Sequence, residues 1–558
     1  MPIWALAGPS VRGTLSVNGR LFAASGGSLY ELFANGTKST IGAIANDNKP
    51  VSMAAADINP TSGAPQLAIV SAGTLYVVNL ITSVMTIPPG PLGIPFQVAY
   101  ADGFFVLLNT NGVFQFSQPL DATNWPGING ASVSIYADQT IAMNTVHREV
   151  FFMSATHGAV YGDAGDSPIP YDVVTGGDFE QGIAAPFTMI PLDNTMFWLG
   201  ANKDGAGVVW RASGYTPQRI SNHAVEFAMQ GYPTIKDAIA YGYQDQGHTF
   251  YQIYFPSANA GLGATWVYDV ATQMWHEKAF LNTNGTFSAH RSQCHAYAFG
   301  NHYVGDWATG NVYQQSITYL SDFDNTIKRV RRSPHIANEN EWLYHHSLQV
   351  DIETGLTPLV PLPGVGTPTV INLVDSASIT WAVQILDSGL FQSTNMGNTG
   401  SPGNQVFLND PTLSTTWQLG VNTIGQLTLT QVPMNLTIGT SFPMISETGL
   451  TQWSITLQAG TFLLQSTPGP PITRNPQMLV RWSDDAGHTW SNTHVLDLGA
   501  SGNYKARAIR RRLGRARDRV YELSITDPIP ARIVDGFLKA TPGYVVTERI
   551  SDTIRKAA

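Results

Sequence analysis

The chain has 558 residues, more than one hydrophobic core organises, so two or three domains are expected. Hydrophobic residues make up 43% and charged residues only 12%, which excludes a solvated disordered coil, and a net charge of -9 argues against general affinity for the nucleic-acid backbone. A single cysteine, Cys294, excludes an internal disulfide framework, and no apolar run reaches the roughly 18 residues that a membrane span needs.

Low charge combined with 53 Gly and 34 Pro predicts an all-β chain of short strands and tight turns, because both residues are costly inside helices. The N-terminus, MPIWALAGPSV, lacks a basic leader and its apolar stretch is short for a signal peptide. Residues 1–318 repeat one unit, a strand, a Gly-containing turn and a second strand carrying aromatics. Arg20–Ser25 with Ser28–Phe33, Gln66–Val70 with Thr74–Val78, and Phe104–Leu108 with Val113–Phe116 are examples, and seven copies can be counted. A period of about 40–50 residues predicts a β-propeller of six or seven blades, whose radial repetition protects hairpin edges.

After the repeat the text turns polar, with Lys328-Arg-Val-Arg-Arg-Ser-Pro-His335, and ends in an alternating run over Ser347–Ile352. Residues 355–475 are rich in Thr, Ser, Leu, Gln and Asn and read as a separate small β domain. The run before this stretch and Gln477–Trp482 after it are expected to pair, which makes the stretch an insertion. Its host is then a discontinuous β domain of residues 319–354 and 476–540, followed by a tail over 541–558. The fold class expected is all-β: an N-terminal propeller plus a C-terminal β domain carrying an inserted small β domain.

Ser483-Asp-Asp485-Ala-Gly487-His-Thr489-Trp490 fits the Asp-box pattern. It predicts a hairpin turn in which Asp485 accepts backbone N–H bonds, Gly487 permits positive φ and Trp490 plugs the core. It occurs once, so the reading is structural. Lys505 and Arg507, Arg510, Arg511, Arg512, Arg515, Arg517 and Arg519 place eight cations in fifteen positions. They are candidate contacts to carboxylates of the same or a neighbouring subunit, or to DNA phosphates in a channel, and arginine over lysine favours bidentate carboxylate pairing.

Arg148, Arg211, Arg219 and Arg291 could in principle hold a substrate carboxylate, although Arg219 with Glu226 is more simply a structural polar contact. His290, Cys294 and His295, and the pair His345-His346, lack the further ligands of a zinc site. No phosphate-binding loop, nucleophile elbow or metalloprotease helix motif occurs, so neither catalytic residues nor cofactors are assigned.

Several phrases, in this order, carry a resemblance: Asp121-Ala-Thr-Asn-Trp125, Arg148-Glu-Val-Phe-Phe152, Phe179-Glu-Gln-Gly-Ile-Ala-Ala185, Gly214–Ser221, Gly247–Tyr251, Arg332-Ser-Pro-His335, Arg481–Trp490 and Arg512–Arg519. Together they resemble the packaged-DNA stabilisation, or tail-hub (nozzle), proteins of P22-like short-tailed bacteriophages. The resemblance implies a virion protein assembled in the host cytoplasm. It implies a homo-oligomeric ring, a hexamer, below the portal-adaptor ring, closing the DNA exit channel after packaging, conducting genomic DNA at ejection and supporting fibres, spikes or a needle. The stretch 355–475 departs from the family. The alternative is a propeller glycosidase or carbohydrate-binding receptor protein of the tail, with Trp198, Trp210, Trp266 and Trp275 as sugar-stacking material.

Overall fold

The computed structural model describes Ile3 to Gly543 apart from 60, 202–204, 323–324, 340, 355–359, 363–367, 387–389, 401–402, 434–438, 448–450, 469–471 and 500–505. Lys505 and most of the expected tail, 544–558, lie outside the described residues. The chain divides into two compact units, Met1–Ile327 and Lys328–Ala558.

Among the described residues the first unit holds a short two-stranded sheet, Ser321–Asp322 with Asn325–Thr326, and seven antiparallel blade sheets, each built from strands consecutive along the chain, save the last. That last sheet, Ser292–Ala298, Asn301–Asp306 and Asn311–Gln315, takes its fourth strand from Trp4–Ala5, with Trp4 opposite Val312. The opening strands of the seven sheets, beginning at Val11, Ser52, Pro95, Thr140, Ile190, Ile239 and Ser292, neighbour one another in cyclic order, and the seventh returns to the first. This is a seven-bladed propeller closed by its own N-terminus.

Local chemistry explains the hairpins. The turns Asn18-Gly19, Asp102-Gly103 and Gln246-Gly247 have positive φ at both residues, the primed turn geometry whose twist matches two antiparallel strands. Second strands such as Gln66–Ser71 are buried along their whole length, since each blade is covered on both faces. Apolar cores therefore lie between blades. Trp198 and Phe179, for instance, sit in the core between the fourth and fifth blades.

In the second unit, two sheets face each other. One orders Arg329–Arg332, Asp518–Ile525, Gln477–Ser483 and His494–Asp497; the other sets Leu343–Glu353 between Ala506–Arg511 and Arg532–Pro542. The expected pairing of Ser347–Ile352 with Gln477–Trp482 is corrected: the two strands lie in opposite sheets, and Leu348, Val350 and Ile352 meet Met478 and Val480 across a common core. Alternation placed one face of each strand inward, but each pairs with a partner distant in sequence.

Residues 369–468 form three three-stranded sheets around one core. Trp381, Trp417 and Trp453 recur at equal spacing on the middle strands, as do Val383, Leu419 and Ile455. The short pair Val360–Leu362 and Ile472–Arg474 brings the two ends of this segment together.

Candidate functional site

The arginine run is built by alternation on an edge strand. Along Ala506–Arg511 the small side chains of Ala506 and Ala508 enter the core, while Arg507, Ile509 and Arg511 face outward. Arg512 and Gly514 take positive φ around buried Leu513, and the alternation resumes with Arg515 and Arg517 outside and Ala516 inside. The guanidiniums of Arg515 and Arg517 lie 4.6 and 5.1 Å from the Trp342 ring. Among the described residues none of Arg507, Arg510, Arg511, Arg512, Arg515 and Arg517 has an ion-pair partner, and Nε of Arg510 is buried without an acceptor.

Arg519 departs from this group. Its side chain is 2% exposed and donates to Asp484 at 2.6 and 2.8 Å and to the Leu513 carbonyl at 2.5 Å. It is an internal tie to a carboxylate of its own chain, the first of the contacts expected for this run, and not an exposed interface or channel group.

The Asp-box residues form the loop between Gln477–Ser483 and His494–Asp497. Asp485 accepts from the Ser483 hydroxyl at 2.7 Å, the Thr489 amide at 2.8 Å and the Thr489 hydroxyl at 2.6 Å, and these bonds hold its carboxyl far below the usual range. Gly487, at φ 95°, donates its amide to Ser483 Oγ. Trp490 does not plug the core as expected. It is half-buried, with the guanidiniums of Arg481 and Arg332 at 4.5 and 5.2 Å from its ring.

Both arginines converge on Glu522, which is 2% exposed and accepts from Arg481 at 2.7 Å and Arg332 at 2.9 Å. Burial alone raises this carboxyl, but the two arginines outweigh it and leave it below its ordinary value. Sequence reasoning missed Glu522, although Arg332 and Arg481 both stand inside the phrases carrying the resemblance.

The other arginines are not brought together. Arg148 pairs with Asp102, and Arg219 with Glu226 in the first turn of the helix His223–Gln230, while Arg291 stacks on Phe280 and Trp307. Trp198 is fully buried, Trp266 packs against the core between the fifth and sixth blades, and Trp275 donates its Nε1 to the Ile220 carbonyl, so they offer no sugar platform. Among the described residues no group of three or more His, Cys, Asp or Glu is placed to hold a metal.

Among the described residues the chain is a closed seven-bladed propeller and a two-sheet sandwich with an outward arginine edge, the class of β-propeller proteins with a C-terminal β-sandwich. The sequence matches the family described as Bacteriophage P22 Gp10, beta-propeller, over residues 5–319, and that described as Bacteriophage P22 Gp10, beta-sandwich, over residues 451–540. The chain belongs to the Gp10 family of phage tail structural proteins, which places it in the virion.

No curated protein matches the chain. Among solved structures, the extracellular domain of BT4673 from B. thetaiotaomicron shares 10% identity over 91% of this chain and 78% of its own, with a TM-score of 0.37. The Mitotic Checkpoint Complex shares 10% over 55% and 89%, at 0.35. The computationally designed Ika8 protein shares 11% over 56% and 99%, at 0.33.

Proposed function

We propose that the chain is the ring-forming subunit of a short tail hub, a hexamer attached below the portal-adaptor ring. In this reading it closes the DNA exit channel after packaging, conducts DNA at ejection and supports fibres, spikes or a needle, without catalysing a reaction. The proposed division of labour follows the sequence boundaries: propeller over 1–318, ring platform from 319–354 with 476–540, and a separate module over 355–475.

The observation that carries the reading is the contrast within one arginine run. Arg519 is neutralised internally, whereas six neighbours on the same edge keep their charge without a carboxylate partner. Holding like charges together costs free energy unless a partner supplies the opposite sign. A heterologous contact in which acidic surface of the next subunit meets this edge gives a ring with an axial hole when the rotation between subunits closes on itself.

Native mass spectrometry of the purified chain, alone and with purified adaptor rings, tests this. Rings of six copies are expected, and monomers in both preparations would defeat the proposal.

A further inference from the structure

The seven contacts between successive blades are not alike. Six of them hold clusters of ten or more buried apolar residues each, but at the contact between the sixth and seventh blades the cluster is only Tyr241, Tyr243 and Val304, with Tyr254 stacked on Trp307 beside it. Polar groups fill the space instead. Ser292 Oγ lies 2.7 Å from Tyr241 Oη, 2.8 Å from Gln252 Nε2 and 2.6 Å from His290 Nδ1. Burial keeps the His290 and His295 rings neutral, with pKa values lowered to about 3. Filling one contact with polar side chains where six others are apolar gives up burial free energy, and such local departures mark functional places.

Beside this wall opens a cleft of about 740 Å³, within the span of roughly 300–1,000 Å³ usual for small-ligand sites. Its lining holds unfilled hydrogen-bonding capacity of both signs. The Arg291 guanidinium lies over Phe280 at 4.4 Å and makes no hydrogen bond or ion pair with any described residue. The Asp322 carboxylate has none either; burial pushes its pKa up to about 6, against the opposing pull of Lys278. Lys278 donates to Tyr243 Oη at 2.8 Å and to Gln252 Oε1 at 3.4 Å, leaving one further donor on the same ammonium. Aromatic rings supply the remaining wall: Phe250 stacks on Tyr243 at 4.9 Å, Tyr313 lines the cleft, and Tyr319 is half exposed.

We infer that this cleft binds a neutral oligosaccharide. Lys278 and Arg291 are balanced by Asp245, Asp269 and Asp322, which disfavours a polyanion, and five charged side chains disfavour an apolar ligand. A sugar satisfies both halves of the lining at once, since each hydroxyl donates and accepts and each ring presents a C–H face to an aromatic plane. The inference is independent of ring formation.

Saturation-transfer NMR with the full chain and the neutral trisaccharides maltotriose, cellotriose and chitotriose tests it, with trigalacturonate and dextran sulfate as charged controls. Glycogen in a parallel arm separates recognition of a polysaccharide from that of a free oligosaccharide. At least one neutral sugar is expected to bind with a Kd of about 1 mM or tighter. Asp322→Ala and, at the exposed mouth, Tyr319→Ala are each expected to weaken binding about tenfold with unchanged melting. No binding by any neutral sugar at about 10 mM, preference for the polyanion, or variants that bind like the native chain would overturn the assignment.

Discussion

Arg519 and Asp484 meet through two parallel hydrogen bonds of 2.6 and 2.8 Å, with the arginine side chain enclosed and the aspartate about half exposed. The guanidinium also lies 5.4 Å from the Trp482 ring. Removing Asp484 leaves a cation enclosed without its anion. Asp484→Ala is expected to cost about 2–3 kcal/mol, below the value for a fully buried pair because water reaches the carboxylate. Arg519→Lys is expected not to preserve stability, since an ammonium cannot make the bidentate bond. Urea unfolding followed by tryptophan fluorescence checks both.

Charge reversal at Arg507 and Arg511 separates assembly from folding. Both side chains are exposed and unpaired, so Arg507→Glu with Arg511→Glu is expected to shift stability by no more than about 0.5 kcal/mol per site. Ring assembly in native mass spectrometry is expected to be lost. Rings that survive reversal would show that the arginine edge is not the interface, and a DNA-binding assay across a salt series would then test the channel role.

The Glu522 carboxyl provides a pH signature. Its pKa is lowered on folding, so the pair with Arg332 and Arg481 stabilises the sandwich above the unfolded carboxylate range and is lost as pH falls through the folded value. Glu522→Gln is expected to be less stable than the native chain at pH 7, with the gap closing as the medium is acidified below about pH 4. Melting curves between pH 3 and 7 measure that gap.

Propeller closure rests on Trp4. It is 2% exposed, donates Nε1 to the Thr37 carbonyl at 2.9 Å and lies edge-on to Tyr303 at 4.9 Å. Trp4→Ala is expected to cost about 3–5 kcal/mol through lost burial and a cavity between the first and seventh blades. Hydrogen exchange should show increased opening of Asn311–Gln315, the strand against which Trp4–Ala5 pairs.

The segment between the two halves of the sandwich carries a repeat that its composition conceals. Trp381, Trp417 and Trp453 are 36 residues apart, and the core positions Val383, Leu419 and Ile455 follow the same step. That spacing was present in the letters. It is masked because the outer faces of these strands vary among Ala, Gly, Ser, Thr and Gln, so only the inward positions repeat. The cleft was less legible still: Lys278, Arg291 and Asp322 lie on three separate elements, and no spacing rule connects them.

Local chemistry in the sequence determined the hairpins, the all-β class, the propeller period and the outward alternation of the arginines, because turn residues and side-chain alternation act over a few neighbours. Tertiary structure decided that the blades number seven and are closed by Trp4, that the strands flanking the insert stand in opposite sheets, and that Arg519 alone among its neighbours is neutralised. Those outcomes depend on which distant strands share hydrogen bonds and which carboxylate lies within reach of which guanidinium. Neither is written in the order of residues along one strand.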